Sequence, residues 1–302
     1  MGSLNEILRK QGGMGLIKQY IQSGALITAV GEFLLLGKSR TALEILRLST
    51  QLKTKQKLKK KYGPRLNEFD KSYDQNSEHI TSDRVWFCWM DGLDCAPQIV
   101  QICFKSICQN MPDKNITLIT EENMHEFVNF PDYIIQKWKA GKITTTHLTD
   151  LLRLELLIRY GGMWLDATVL CSDKNIPEYY FNSDLFFYQC LKPGRDGHST
   201  YISSWLISAK TNNKILMATR FLLYEYWKRH ESLADYFLLH DFMSIVLEYY
   251  PEEWKRVVPR DNATPHILQL RLFDEFDQDL WDAITKQTSF HKLTYKLKLN
   301  KE

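Results

Sequence analysis

Apolar runs that suit strands alternate with longer helical patterns from residue 84 onward. The strand-like runs are short and rich in β-branched or aromatic residues, whereas the helical patterns are longer and lack breakers. The predicted strands are 85–90, 116–119, 163–170 and 184–190, and the predicted helices are 97–109, 147–160, 213–230 and 236–249. This alternation predicts an α/β fold in which ligands bind at the carboxyl ends of parallel strands.

The central stretch is 147–170, which reads HLTDLLRLELLIRYGGMWLDATVL. Its first part lacks Gly and Pro and predicts a helix, which Gly161 and Gly162 end. The apolar run 163–170 predicts a buried strand with one carboxylate, Asp166, in its middle. Because a buried carboxylate is costly unless it is paired or binds a cation, Asp166 is the strongest functional signal in the chain.

Two charged residues interrupt the predicted helix 147–160, which is otherwise apolar nearly all round and therefore expected to be buried. Asp150 and Arg153 are three residues apart and share a face with His147. One interpretation is an ion pair inside the core, and the other is a polar face at the mouth of a binding site. An acid with a guanidinium group suits a sugar hydroxyl and a phosphate, because arginine offers a planar fork of donors.

A second polar pair, His240 and Asp241, interrupts the apolar helix 236–249. Such residues suit a general base or a hydroxyl-binding site, and the alternative is a core histidine bonded to the backbone. Neighbouring residues on a helix point about 100° apart, so we do not expect these two side chains to act as one dyad.

Positive charge is concentrated at the N-terminal end of the chain. Residues 1–65 hold 13 Lys and Arg against 3 acids, which leaves 26 basic and 33 acidic side chains in the remainder. The basic helical pattern at 41–61 favours an anionic membrane surface as its partner, and a solvated or homo-oligomerisation arm is the alternative. The uncharged run 19–31 is too short to span a bilayer, and no nucleic-acid-binding motif accompanies the charge.

The composition is that of an ordinary folded protein, with 25% charged and 44% hydrophobic residues. Neither G-x-G-x-x-G nor G-x-x-x-x-G-K-[ST] occurs, so a dinucleotide dehydrogenase or a P-loop enzyme is not supported. The six cysteines form no C-x-x-C pair, and no signal peptide is visible. These features favour a reduced, cytoplasmic chain, peripheral on the inner face of the cell membrane.

The order D-L-L-R-x-x-x-L-x-x-Y-G-G-x-W-x-D-A-T-V-L-C, which begins at Asp150 and ends at Cys171, carries a resemblance to a known family. It resembles the core of the capsular polysaccharide synthesis glycosyltransferases, which are related to retaining sugar transferases with a D-x-D motif after a Y-G-G turn. The resemblance implies a GT-A fold, a Rossmann-like α/β sandwich that binds a nucleotide-sugar donor. The resemblance extends, more weakly, over about residues 80–300. The break at Gly63-Pro64 and the polar segment after it predict a helical N-terminal region (1–65), a linker (66–82) and a catalytic domain at 83–302.

The resemblance also implies a site. Asp166 would hold Mn²⁺ or Mg²⁺ together with Thr168 and His291. Thr168 stands where the wider family has its second acid, and a hydroxyl is the weaker ligand for a hard cation. The residues implied to hold the donor are Trp89 at the base, Asp91, Lys292 at the phosphates, and Asp150 with Arg153 at the sugar.

The implied reaction moves a hexose from a UDP-sugar, of the galactose or glucose type, to a lipid-linked oligosaccharide, with retention of configuration. Two other classes stay open. One is a nucleotide-sugar-binding relative without activity, since Thr168 replaces an acid. The other is an assembly component at the membrane surface whose transferase-like body is structural.

Overall fold

The computed structural model describes residues 17, 19–21, 23–190 and 199–296. Residues 1–16 of the predicted N-terminal region lie outside the described residues. The described strands are β1 Arg84–Cys88, β2 Asn115–Ile119, β3 Gly162–Leu165, β4 Val169–Cys171, β5 Leu185–Gln189, β6 Ile202–Ala209 and β7 Phe290–Lys292.

A five-stranded sheet in the order β2-β1-β3-β6-β5 forms the centre of the molecule. Strands β2, β1 and β3 run parallel, whereas β6 runs antiparallel to both of its neighbours, β3 and β5. Parallel neighbours require crossover connections, and helices supply them here. The predicted α/β, Rossmann-like fold is confirmed.

Helices connect and cover these strands. The described α-helices are α1 Leu26–Leu36, α2 Arg40–Tyr62, α3 Leu66–Ser72, α4 Gln98–Asn110, α5 Met124–Phe127, α6 Asp132–Lys139, α7 Thr145–Tyr160, α8 Tyr179–Asn182, α9 Lys214–Trp227, α10 Leu238–Tyr249, α11 Pro251–Lys255 and α12 Gln278–Thr285.

The sheet separates two hydrophobic cores, because successive side chains of a strand point to opposite faces. On β1, Trp86 joins the core that holds α7, α9 and α10, whereas Phe87 joins the core that holds α4. On β3, Trp164 and Leu165 divide in the same way. The helix α7 therefore lies in the centre of the first core, as its apolar character predicts.

Two glycines make the turn between α7 and β3. Gly161 and Gly162 have φ angles of 65° and 93°, which side chains rarely allow. A Cβ atom on Gly162 would also lie 2.2 Å from the carbonyl oxygen of Arg84. The indole nitrogen of Trp86, a fully buried core residue, donates a hydrogen bond of 2.9 Å to the Gly161 carbonyl oxygen and so holds this turn.

The predicted strand 163–170 is wrong in extent. It is two strands, because the chain turns between them, with a hydrogen bond of 3.0 Å from the Val169 amide to the Asp166 carbonyl oxygen. Strand β3 stays in the main sheet, and β4 pairs with β7 in a separate two-stranded sheet. Asp166 therefore lies at the carboxyl end of β3, with 28% of its side chain exposed, and not in the middle of a strand.

The N-terminal helices join the body of the molecule, which differs from the predicted division at 65 and 82. Leu58 and Tyr62 at the end of α2 belong to the first core, and so do Leu66 and Phe69 of α3, where a linker is predicted. Buried Lys55 of α2 also forms an ion pair with Glu248 of α10 at 2.8 Å. The chain before and after the Gly-Pro break at 63–64 therefore shares one hydrophobic core with the body. Among the described residues, no helix has both the length and the apolar character needed to cross a membrane.

Candidate active site

Three elements bring charged side chains to the carboxyl edge of the parallel strands. Asp166 follows β3, Asp150 and Arg153 lie on α7, and Lys292 ends β7. The end of β1 leads into Trp89 and Asp91 at the same edge. Such an edge is where ligands bind in open α/β sheets.

Asp166 is held by three donors. The Trp164 indole nitrogen donates to its Oδ1 at 3.0 Å, Arg153 Nη1 lies 3.4 Å from Oδ1, and Lys292 Nζ lies 3.5 Å from Oδ2. Burial acts to raise the pKa of Asp166, but the Arg153 and Lys292 charges and these hydrogen bonds outweigh it and lower the pKa. Asp166 is thus a carboxylate whose two oxygens both face a cation.

Arg153 connects the two carboxylates. Its Nη2 lies 3.0 Å from Asp150 Oδ1, while its Nη1 lies near Asp166 and donates to the Ser204 carbonyl oxygen at 2.5 Å. Arg153 and Asp150 are both buried. The two interpretations of this helix are therefore not exclusive, since the pair is an internal ion pair that also lines a cavity.

His147 orients Asp150. The Trp227 indole nitrogen donates to His147 Nε2 at 2.9 Å, and His147 Nδ1 lies 3.2 Å from Asp150 Oδ2. Because an indole nitrogen can only donate, Nε2 must be the acceptor, and Nδ1 carries the proton that is donated to Asp150. Both oxygens of Asp150 are thereby engaged, one by His147 and one by Arg153.

Two cavities of about 270 Å³ each meet at this cluster. The Trp89 cavity is also lined by Asp91, Thr168 and Tyr295. The His240 cavity is also lined by His147, Asp150 and Trp205. The lining residues shared by both cavities are Thr146, Arg153, Asp166 and Lys292. We call Arg153, Asp166 and Lys292 the junction.

The structure brings His240 to this site and leaves Asp241 away from it. His240 lines its cavity, and its buried Nδ1 has no hydrogen-bond partner among the described residues. Burial lowers the pKa of His240 to about 4, so the ring is neutral near neutral pH. Asp241 points into the protein, where burial and then the Asp235 charge raise its pKa. The helical angle between adjacent residues explains the separation.

His291 does not lie near Asp166, which corrects its predicted role as a metal ligand. His291 is fully buried, and its Nε2 lies 2.9 Å from Ser172 Oγ. In the β4–β7 pair, Val169 is opposite Lys292 and Leu170 is opposite His291. Since adjacent strand residues point to opposite faces, Lys292 reaches the junction and His291 cannot.

The residues present do not fit the implied divalent cation. Thr168 Oγ1 accepts a hydrogen bond of 2.5 Å from Lys292 Nζ, and Lys292 also faces Asp166. Among the residues that the structure describes, no group of three or more His, Cys, Asp or Glu side chains could hold a metal. Hard cations need several oxygen ligands, and here one carboxylate and one hydroxyl are both occupied by an ammonium group.

Sequence reasoning missed three contributors to the site. Trp164 belongs to the motif, but its hydrogen bond to Asp166 depends on the turn after β3. Tyr295 packs edge-on against Trp89 with ring centres 5.7 Å apart. Tyr236, which is 56% exposed, lines the His240 cavity. The available signal for Tyr295 was its position three residues after Lys292, in an aromatic and basic segment.

The fold and the junction define a Rossmann-like α/β protein with a charged, two-chambered cleft at the carboxyl edge of its sheet. The sequence profile of a family described as capsular polysaccharide synthesis protein matches residues 39–302. The chain belongs to this capsular polysaccharide synthesis family, which confirms the family predicted from the motif.

Individual relatives are more distant. The chain is 31% identical over 103 residues to O-glycosyltransferase braB of Annulohypoxylon truncatum, across 31% of this chain and 24% of that protein, so it spans about a quarter of that relative. A solved structure titled PaToxG Glycosyltransferase has a TM-score of 0.40 and 15% identity, covering 77% of this chain and 93% of its own. A solved structure of a transferase mutant has a TM-score of 0.35 and 11% identity, with 72% and 95% covered.

Proposed function

We propose that this protein is a glycosyltransferase that moves a hexose from a UDP-sugar to an acceptor hydroxyl. The observation that carries the proposal is the junction, where two cavities of matching size meet at two cations and a carboxylate. A nucleotide-sugar has the same order of parts, with a diphosphate between a nucleoside and a sugar. The names of the relatives agree with this activity.

The Trp89 cavity suits the nucleoside. Its aromatic rings, Trp89 and Tyr295, offer an apolar surface to a planar base, and the exposed carboxylate of Asp91 offers an acceptor to ribose hydroxyls. The His240 cavity suits the sugar, because it combines Asp150 and neutral His240 with the ring of Trp205. Polar groups beside an aromatic face are the combination that a pyranose ring requires.

The junction suits the diphosphate and the reacting bond. The acceptor oxygen forms a bond to the anomeric carbon while the bond from that carbon to the phosphate oxygen breaks, and the leaving UDP takes up the proton of the acceptor hydroxyl. Arg153 and Lys292 would stabilise the charge that develops on the leaving phosphate. Both oxygens of Asp150 are engaged by His147 and Arg153, so we assign Asp150 a positioning role. Retention of configuration is proposed from the family resemblance alone.

The experiment is a measurement of UDP release from a panel of UDP-sugars by the wild type and by Asp166→Asn. The exposed Asp113→Asn variant is the matched control. Release from one donor that is lost only in Asp166→Asn is expected. Donor binding without release in every condition would favour the nucleotide-sugar-binding relative, for which Thr168 is the supporting feature.

We further propose that the acceptor is lipid-linked and that α1 and α2 hold the protein at an anionic membrane surface. Helix α1 exposes Ile27, Leu34 and Leu35 at 88%, 77% and 85%, which we call the apolar face of α1. Exposed lysines of α2, including Lys53 and Lys60, lie on the adjoining helix. An apolar face beside basic residues is typical of interfacial helices.

Sedimentation with vesicles tests this attachment. We expect binding to vesicles that contain an anionic phospholipid, and binding that weakens as salt is raised. If the protein bound neutral vesicles as tightly as anionic ones, the apolar face of α1 would account for the attachment and the lysines of α2 would not. No vesicle binding, together with a dimer in solution that is lost when the apolar face of α1 is made polar, would assign α1 to homo-oligomerisation.

A further inference from the structure

We propose that Lys292 supplies the positive charge that a divalent cation would supply at this site, so that nucleoside diphosphate binding is independent of metal. This inference rests on the proposed function and names how the diphosphate is held. It replaces the predicted Mn²⁺ or Mg²⁺.

The position of Lys292 is the first argument. Its Nζ lies 2.5 Å from Thr168 Oγ1 and 3.5 Å from Asp166 Oδ2. These two residues occupy the places of the two acids in the D-x-D motif that the chain resembles. The ammonium group thus lies between the two side chains that would otherwise share a metal.

Charge balance is the second argument. Two carboxylates and a divalent cation sum to zero, and so do the Asp166 carboxylate, the Thr168 hydroxyl and the Lys292 ammonium. An acid at 168 would leave this cluster with an excess negative charge facing a diphosphate. Thr168 weakens a metal site, because a hydroxyl is a poorer ligand than a carboxylate, but it is the neutral partner that a lysine requires.

The rigidity of Lys292 is the third argument. Residue 292 is paired with Val169 in the β4–β7 sheet, and the Leu293 amide donates to the Thr168 carbonyl oxygen at 2.8 Å. The backbone on both sides of the charged group is therefore fixed to the turn that carries Asp166. Only 20% of the Lys292 side chain is exposed, so its charge is partly shielded from water and acts strongly on a nearby anion.

Competition for the same place is the fourth argument. A metal bound to Asp166 would need the oxygen that faces Lys292, while the other oxygen faces Arg153 and Trp164. It would also lie beside two fixed positive charges, which repel it. Lys292 and Arg153 instead present two cations to both cavities at their junction.

The test is calorimetric titration of the full chain with UDP, in EDTA and in Mn²⁺. We expect similar dissociation constants in the two conditions. Lys292→Met should weaken binding about 10- to 100-fold in EDTA, since it removes a charge-assisted hydrogen bond, whereas Lys292→Arg should retain most of it. Lys286→Met, at an exposed position in the same segment, is the matched control, and melting curves check that each variant is folded.

A charge exchange makes the test sharper. The double variant Lys292→Met with Thr168→Asp restores two acids and removes the ammonium group. We expect its UDP binding to depend on Mn²⁺, in contrast to the wild type.

The outcomes separate the two proposals. Wild-type UDP binding that appears only with Mn²⁺ overturns the role of Lys292 and leaves the transferase proposal intact. Unchanged binding in a folded Lys292→Met variant also overturns that role. If no nucleoside diphosphate binds in either condition, the nucleotide-sugar site itself is wrong, and the inference falls with it.

Discussion

In most proteins charged residues lie at the surface and apolar residues lie in the core. The junction and the apolar face of α1 both depart from this pattern. At the junction, the charged side chains of Arg153, Asp166 and Lys292 are only 5%, 28% and 20% exposed, and each lies beside a group of opposite charge. On α1, Leu34 and Leu35 are exposed at 77% and 85%. Both arrangements cost free energy in an isolated folded chain, one through desolvation and the other through contact of apolar surface with water.

The two regions differ in whether their side chains already have partners within the protein. The charges of the junction already satisfy one another, so the site is preorganised and a ligand anion needs little rearrangement. Among the residues that the structure describes, none covers Ile27, Leu34 or Leu35, so the apolar face of α1 is open to a partner. A substitution at the junction should therefore act on chemistry, whereas a substitution on α1 should act on location.

The largest expected effect is that of Asp166→Asn at the junction. It leaves Arg153 and Lys292 without their shared carboxylate, and the rate of UDP release should fall about 100-fold or more. Initial rates at saturating donor measure this, with Asp113→Asn as control. A rate within about twofold of the control would show that the junction is not where the reaction occurs.

The next effect tests the other half of the comparison. Leu34→Ser with Leu35→Ser removes two exposed apolar side chains and should weaken vesicle binding about 50-fold. UDP release from a soluble assay should be unchanged. Leu270→Ser, a second exposed leucine far along the chain, is the control for nonspecific apolar contact. If Leu270→Ser weakened vesicle binding as much as the α1 double variant does, α1 would not be the membrane-binding element.

A third prediction concerns the buried side chain of His291 and how it makes the stability of the protein depend on pH. Burial lowers the pKa of His291 to about 4, below the usual value of 6.5. As pH falls from 6.5 toward 4, the unfolded chain takes up a proton that the folded protein does not, so this histidine removes stability from the wild type. The stability advantage of the wild type over His291→Gln should be about 2 kcal/mol smaller at pH 5 than at pH 7.

Denaturant unfolding at the two pH values gives these free energies, and His125→Gln at an exposed position is the matched control. A difference between wild type and His291→Gln that is the same at both pH values would contradict the burial of a neutral ring.

The smallest expected effect concerns the base. Trp89→Ala should weaken UDP binding about tenfold, because base stacking on an aromatic ring contributes about 1–3 kcal/mol. Calorimetric titration measures it, and Trp281→Ala, which lines neither cavity, is the control. An unchanged dissociation constant would place the base elsewhere and leave the junction as the sole recognition element.

The sequence was sufficient where local pattern decides the outcome. The apolar helix before Gly161 and the charges at Asp150, Arg153 and Asp166 could be found because helix periodicity and a misplaced carboxylate are local signals. The sequence could not show whether His291 or Lys292 faces the junction. The answer depends on the register in which β7 pairs with β4, which is distant in the chain, and a shift of one residue would exchange the two side chains. The turn at Asp166 could not be predicted either, because Ala167 and Thr168 are not residues that favour turns.

The most direct test of the two-chambered site is a crystal structure of the protein with UDP and a non-hydrolysable UDP-sugar. We predict the diphosphate at the junction, within hydrogen-bond distance of Lys292 and Arg153, with the base against Trp89 and the sugar beside His240. A nucleotide that is bound elsewhere, or one whose diphosphate does not contact the junction, would contradict the central claim.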